Sequence, residues 1–215
     1  MLINVNNLSY RYKKTSPWIL KDVSLSINQG ERVGILGPSG CGKSTLAKII
    51  AGYIDPVSGE VTYDNQPIDK KGYCPIQMIH QHPELAVNPR RKMSKILTEG
   101  WDVDQELMQN IGIEEEWLKR WPNELSGGEL QRFCIARVLS SDTKLLICDE
   151  ITTMLDVITQ AQIWNLLLDI SQKRKLSMLI ITHNTSLASK VCTRTIRLSD
   201  INHTEEKDCQ KELCN

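Results

Sequence analysis

"RVGILGPSGCGKSTLAKII", residues 32–50, runs from an apolar stretch through a glycine-rich turn into a helical pattern. Val33 to Leu36, behind a turn at Gly30, reads as a buried strand. The nine residues that follow, "GPSGCGKST" (37–45), fit G-x-x-x-x-G-K-[ST], with the strand before and the helix after that this pattern requires. Glycines at 37, 40 and 42 let the loop curl so that successive backbone N–H groups point inward, and the helix N-terminus adds its partial positive charge. A glycine-rich turn with an incidental lysine does not account for both flanks. The stretch therefore predicts a triphosphate cradle made of Gly37, Pro38, Ser39, Gly40, Cys41, Gly42, Lys43, Ser44 and Thr45. Lys43 would reach the β- and γ-phosphates, and the Ser44 hydroxyl would ligate Mg²⁺.

Hydrolysis of a bound triphosphate also needs an acid for the metal and a group to orient water. "LLICDE", residues 145–150, supplies both at the end of an apolar strand. Asp149 would hold Mg²⁺ through its water shell, and Glu150 would polarise the attacking water. Two carboxylates at a strand end are weak by themselves and gain their meaning from the phosphate loop.

A third stretch, "ELSGGELQRFCIAR" (124–137), places Gly127 and Gly128 at the head of a helical pattern. Glycine weakens a helix by about 1 kcal/mol relative to alanine. Ser126 and Glu129 satisfy a capping box, which explains those two residues and leaves the glycines between them unexplained. A ligand approaching the backbone closely would explain them, because a Cβ would block an anion seated on exposed N–H groups.

Around these stretches the chain alternates strands and helices. "LINVNNLSYRY" and "ILKDVSLSIN" read as paired strands, and "SGEVTYDNQPI" as a further pair with its turn at Asp64-Asn65. Residues 83–140 have helical spacing and little strand character. Strand "KLLICD", helix "VITQAQIWNLLLDISQKRK", strand "SMLIIT", helix "NTSLASKVC" and a last strand "RTIRLS" follow, which implies a mostly parallel sheet. The expected organisation is one α/β domain over 1–215, with an αβ core at 1–82 and 141–200, a helical insertion at 83–140 and a polar, exposed tail at 201–215.

Composition excludes several classes. The 215 residues are 40% hydrophobic, and 26 basic residues balance 26 acidic ones, so no nucleic-acid partner is expected. The seven cysteines form no CxxC pair, and three sit in apolar runs, which fits reduced thiols in a cytosolic setting. Cys209 and Cys214 with His203 match no standard metal spacing. "MLINVNNLSYRYKK" lacks the apolar core of a signal peptide. The longest apolar runs fall well short of the ~20 residues of a membrane span. Any membrane association is thus expected to run through another chain.

In order and spacing, "LSGGE" with "LQRFCIARVL", "LLICDE", Leu155-Asp156 and "ITH" (181–183) resemble the ATP-binding cassette (ABC) ATPase family over essentially the whole chain. The resemblance implies a P-loop NTPase with a RecA-like core, an N-terminal antiparallel β-subdomain and an inserted helical subdomain. It implies ATP and Mg²⁺ as cofactors and ATP hydrolysis as the activity. It also implies two cassettes paired head to tail, as a homo- or heterodimer, with Ser126, Gly127 and Gly128 of one closing on the γ-phosphate held by the other. By the same resemblance Tyr12 stacks on adenine, with Tyr10 as its competitor if the register shifts. Gln81 joins the core to the insertion and senses Mg²⁺ and water. Asp156 crosses the dimer interface, and His183 contacts the γ-phosphate.

The chain departs from the family pattern at four positions. Ile151 stands for the usual proline, Met154 for a small residue, Asn184 for aspartate and His80 for an aromatic. The absence of fused membrane helices, coiled coils or a second cassette resembles a stand-alone transporter subunit. "QHPELAVNPR" (81–90) and "ELSGGELQR" are similar to the peptide/nickel importer group. The C-terminal extension of peptide-importing members is not matched, which favours a nickel- or metallophore-type subunit. The expected partners are a second cassette, two transmembrane permease subunits and, indirectly, an extracellular solute-binding protein, with the chain peripheral at the cytoplasmic face of the cell membrane. The alternative is a non-transport ABC ATPase acting on nucleic acid or a soluble complex.

Overall fold

A computed structural model of the chain describes residues 1–68, 72–152 and 155–204. In chain order the strands are β1 (Ile3–Tyr10), β2 (Leu20–Ile27), β3 (Arg32–Leu36), β4 (Ser58–Tyr63), β5 (Gln66–Pro67), β6 (Ile76–Ile79), β7 (Leu145–Asp149), β8 (Ser177–Ile181) and β9 (Arg194–Arg197). The helices are α1 (Lys43–Ile50), α2 (Met93–Leu97), α3 (Gln105–Ile111), α4 (Gly127–Val138), α5 (Val157–Arg174), α6 (Thr185–Val191) and α7 (Leu198–Ile201), with 3₁₀ turns at Pro83–Leu85, Glu115–Lys119 and Pro122–Glu124.

The strands form two sheets. The first is antiparallel, in the order β2-β1-β4-β5. Its alternation, displaced by register shifts between Val5 and Leu8 and between Leu8 and Tyr10, buries Ile3, Val5 and Leu8 of β1 against Leu20, Val23, Leu25 and Ile27 of β2. The second sheet is parallel, in the order β6-β7-β8-β3-β9. Every residue of β7 and β8 is buried, as a parallel sheet covered on both faces requires.

Period-two alternation in the parallel sheet divides the core. Leu145, Ile147, Leu179 and Ile181 point into one apolar cluster with α1 and the antiparallel sheet. Leu146, Cys148, Met178 and Ile180 point into the other, filled from α4 and α5 by Phe133, Ile135, Ile163, Trp164 and Leu167. Because all five strands run the same way, the turns that leave β3, β6, β7 and β8 emerge at one edge. Outside those carboxyl ends an open parallel sheet places its ligand crevice.

The described residues between 83 and 138 hold no strand and form short helical pieces, of which α4, at 12 residues, is the longest. Pro83, Pro122, Gly100 and Gly112 interrupt what the spacing alone predicts as longer helices. Trp117 anchors the second 3₁₀ turn in the core, and Asp104 caps α3 by accepting from Leu107 N at 2.7 Å.

Two elements differ from expectation. β6 was not anticipated as a strand; its four residues behind Pro75 are too short to display a period. The last strand was expected to reach Ser199 and stops at Arg197. Buried Leu198 turns the chain into α7, and Asn202 then ties it to β2, its Oδ1 accepting from Lys21 N at 2.8 Å.

Among the described residues the five cysteines are free thiols, and no helix is long and apolar enough to cross a membrane. Met154 and, from residue 205 on, the polar tail with Cys209 and Cys214 lie outside the described residues.

Candidate nucleotide site

The phosphate loop leaves β3 and enters α1 through Gly42, at φ +105. A Cβ at Gly42 would meet Ile19 Cγ2 at 3.1 Å and Ile19 O at 3.2 Å, so both backbone and packing demand glycine. No side chain caps α1, which leaves its first N–H groups available to an anion. Lys43 is 5% exposed, and its ammonium donates to Gly37 O at 2.8 Å and Pro38 O at 2.7 Å. Two carbonyls hold the cation at the mouth of the cradle.

Ser44 donates its hydroxyl to Asp149 Oδ1 at 3.1 Å, joining the start of α1 to the end of β7. An exposed hydroxyl paired with a buried carboxylate beside a phosphate cradle is the donor set a hard divalent cation takes. Burial raises the Asp149 carboxyl above its ordinary range, against the lowering effect of the Ser44 hydrogen bond. The folded chain therefore holds this proton more tightly than the unfolded chain, so the stability it contributes is present at low pH and lost as pH rises through the carboxylate range. Asp149→Asn is thus expected to raise the unfolding temperature of the nucleotide-free chain near neutral pH, with a smaller gain in the carboxylate range. Thermal scans across a buffer series check this, and a lowered midpoint near neutral pH contradicts it.

Glu150 follows at φ +49, a left-handed backbone that non-glycine residues adopt only when their surroundings hold them. Its N–H donates to Ile181 O at 3.1 Å, anchoring the turn to β8. Gln81 Nε2, just past β6, donates to Glu150 Oε2 at 3.3 Å. His183 Nδ1, just past β8, lies 3.1 Å from Glu150 Oε1. Residues of two strand ends thus converge on the carboxylate carried by a third.

A cavity of about 320 Å³ gathers Tyr12, Ser39, Gly40, Lys43, Ser44, Gln81 and Glu150. Tyr12 is 67% exposed just beyond β1. Tyr10 stands edge-on behind it, centroids 5.5 Å apart, packed against the core. Ser126, Gly127, Gly128 and Asp156 do not line this cavity.

Two of the four, Ser126 and Asp156, cap helices, and Gly127 and Gly128 are the first residues of α4. Ser126 Oγ accepts from Glu129 N at 3.2 Å, and Glu129 returns a bond to Ser126 N at 2.7 Å, the reciprocal box read from the sequence. Asp156 caps α5, accepting from Ile158 N and Thr159 N at 3.0 Å and from Thr159 Oγ1 at 2.6 Å. The Thr159 hydroxyl bond, first among these, lowers the Asp156 carboxyl below its ordinary value. Beside it the apolar Val157 and Ile158 are 80% and 72% exposed.

Sequence reasoning attributed the bareness at Gly128 to a ligand alone. A Cβ there would meet Leu155 Cδ2 at 3.0 Å, so close packing inside the chain also favours glycine. Three described departures from the family pattern also have local explanations. Ile151 is buried in the core; Asn184 caps α6, accepting from Leu187 N at 3.0 Å; and His80 stacks on Tyr53 with centroids 5.6 Å apart.

A second cavity, of about 570 Å³, is lined by Tyr53, His80, Ala86, Glu99, Cys134 and Arg137 among others. Most of these come from separate segments brought together by packing, so no local pattern marks them.

Comparison with known proteins places this geometry. Residues 20–153 match the family described as ABC transporter. The nickel import ATP-binding protein NikE of Escherichia coli O6:K15:H31 (strain 536) is 35% identical, the alignment covering 91% of this chain and 82% of that protein. NikE of Escherichia coli strain K12 is 34% identical over the same shares. Among solved structures, the ATP-binding cassette MJ0796, in a dimeric post-hydrolysis state bound to ADP and phosphate, superposes with a TM-score of 0.78 at 27% identity, over 91% of this chain and 94% of that one. CbiO1 of Clostridium perfringens, part of the ABC transporter complex cbiONQ, gives 0.73 at 27%, over 91% and 84%. The expected fold class, a P-loop NTPase of the ABC type, is borne out by these neighbours.

Proposed function

The chain belongs to the ABC transporter ATPase family, whose cassettes bind and hydrolyse ATP, and on that premise we propose that it powers import of a small solute of the peptide, nickel or metal-chelate class. The carrying observation is one cavity that gathers Tyr12, the phosphate loop, Gln81 and Glu150, in a chain 35% identical to a nickel import subunit.

In this reading the adenine stacks on Tyr12, and the phosphates lie on the N–H groups of 37–45. Lys43 exchanges its two carbonyl partners for the β- and γ-phosphate oxygens. Ser44, Asp149 and Gln81 fit Mg²⁺ as the ion's protein-side donors. When bound, Mg²⁺ supplies positive charge that neutralises the triphosphate. Glu150 takes the proton of the attacking water, held in place by Gln81 and His183.

A second cassette, identical or related, supplies Ser126, Gly127 and Gly128 to this triphosphate and receives those of this chain in return. The position of these residues outside the chain's own cavity supports that arrangement, and a partner surface would cover Val157 and Ile158. Residues 1–82 and 141–200 act as the ATP-binding core, and 83–140 as the segment that meets the transporter. The groove of about 570 Å³ between β6 and α4 receives a permease helix. Two permease subunits and an extracellular solute-binding protein complete the system, with the chain peripheral at the cytoplasmic face.

Purification of the tagged full chain from membranes is expected to bring down a permease and a second cassette. Recovery of nucleic acid or a soluble complex in their place would support the non-transport reading and overturn this one.

A further inference from the structure

Three side chains of α4 donate to three backbone carbonyls of the segment that carries Gln81, each across 51 residues of sequence. Gln131 Nε2 reaches His80 O at 3.4 Å, Cys134 Sγ reaches Pro83 O at 3.8 Å, and Arg137 Nη1 reaches Ala86 O at 2.9 Å. Both sides advance three residues per rung, so the contacts form a register. Arg137 is the charged rung, and a charged donor makes the stronger hydrogen bond. Burial pushes the Cys134 thiol up to about 11, which keeps its proton available to donate at neutral pH.

Gln131 is the rung next to Gln81 and is 2% exposed. The His80 carbonyl is an acceptor only, so the amide must turn Nε2 toward it. Oε1 is then left buried with no hydrogen-bond partner among the described residues. An unpaired buried acceptor lowers stability, so the glutamine offsets at Oε1 part of what its long bond to the His80 carbonyl contributes. Stability alone does not explain a glutamine here.

We propose that Gln131 is a positioning residue for hydrolysis: with Cys134 and Arg137 it clasps the 80–86 segment to α4, so that Gln81 and the Ser126–Gly128 turn at the head of α4 shift together. This rests on the reading above, in which Gln81 serves the ATP of its own chain and Ser126–Gly128 serve that of the partner. The clasp would then couple the two sites that one chain helps to build.

The test uses the full chain with its transporter partners and ATP as the probe. Gln131→Met keeps length and volume but removes the donor. Because it removes both the unpaired Oε1 and the bond to His80 O, it is expected to leave ATP affinity and unfolding temperature near the parent values while slowing single-turnover hydrolysis roughly three- to tenfold. In a Gln81→Ala background the same substitution is expected to add no further slowing, which a merely structural role would not produce. Equal slowing in both backgrounds, or none in the parent while Gln81→Ala is slow, overturns the clasp and leaves the site reading standing. Unchanged hydrolysis in Gln81→Ala overturns both. Should Gln131→Met not fold, the same cycle run with Cys134→Ala decides.

Discussion

Lys43→Ala is expected to lower ATP turnover by about 100- to 1,000-fold, the loss that follows removal of one preorganised donor from a developing charge. ATP affinity falls in the same variant. The effect is large because of where the ammonium sits. Lys43 is almost fully buried at the head of α1, and its charge rests against the carbonyls of Gly37 and Pro38. No other lysine or arginine lines that cavity among the described residues. Truncation therefore removes both the charge that meets the triphosphate and the donor that shapes the loop. Steady-state hydrolysis and equilibrium ATP binding check the prediction, with thermal unfolding as the control for folding. Parent-level turnover in a folded Lys43→Ala variant would refute the phosphate-loop assignment.

Glu150→Gln is expected to behave differently, keeping ATP affinity while hydrolysis falls about 100- to 10,000-fold, the range for loss of a general base. Glutamine has the same shape, and its Oε1 can still accept from Gln81 Nε2, so the turn at φ +49 is kept. What it cannot do is take a proton from water. With binding intact and turnover blocked, the protein should accumulate as a closed dimer in ATP and Mg²⁺, read by light scattering on a sizing column. If it stays monomeric, alone and with its partner subunits, either the water-activating role or the dimer is wrong.

Both predictions use residues legible in the sequence itself, and the reason is locality. A loop whose N–H groups converge is built from consecutive residues, so "GPSGCGKST" carries its meaning in its own spacing. The strand before it and the helix after it are equally local. The capping box at Ser126 and Glu129 was readable for the same reason, and both of its hydrogen bonds are present. By contrast β6 is four residues long, too short for periodicity to register, and the last strand was overestimated because the burial of Leu198 is a tertiary event.

At the site, the choice between Tyr12 and Tyr10 stood open while only the strand pattern was available. β1 ends at Tyr10, which turns inward, and leaves Tyr12 beside the phosphate loop. Gly128 was read as bare for a ligand, and the contact with Leu155 had no signature in its own segment.

The amino-acid order alone determined the family and the α/β class and pointed to residues 37–45 as the phosphate loop, because each is written in neighbouring residues or in the order of short patterns. The folded chain alone decided that Gln81 and His183 meet on Glu150, that Glu150 takes a left-handed turn to do so, and that α4 grips the segment after β6 across 51 residues. Those facts depend on which strand ends the parallel sheet sets side by side. Strand order is settled by burial of two apolar faces at once, and no local spacing encodes it.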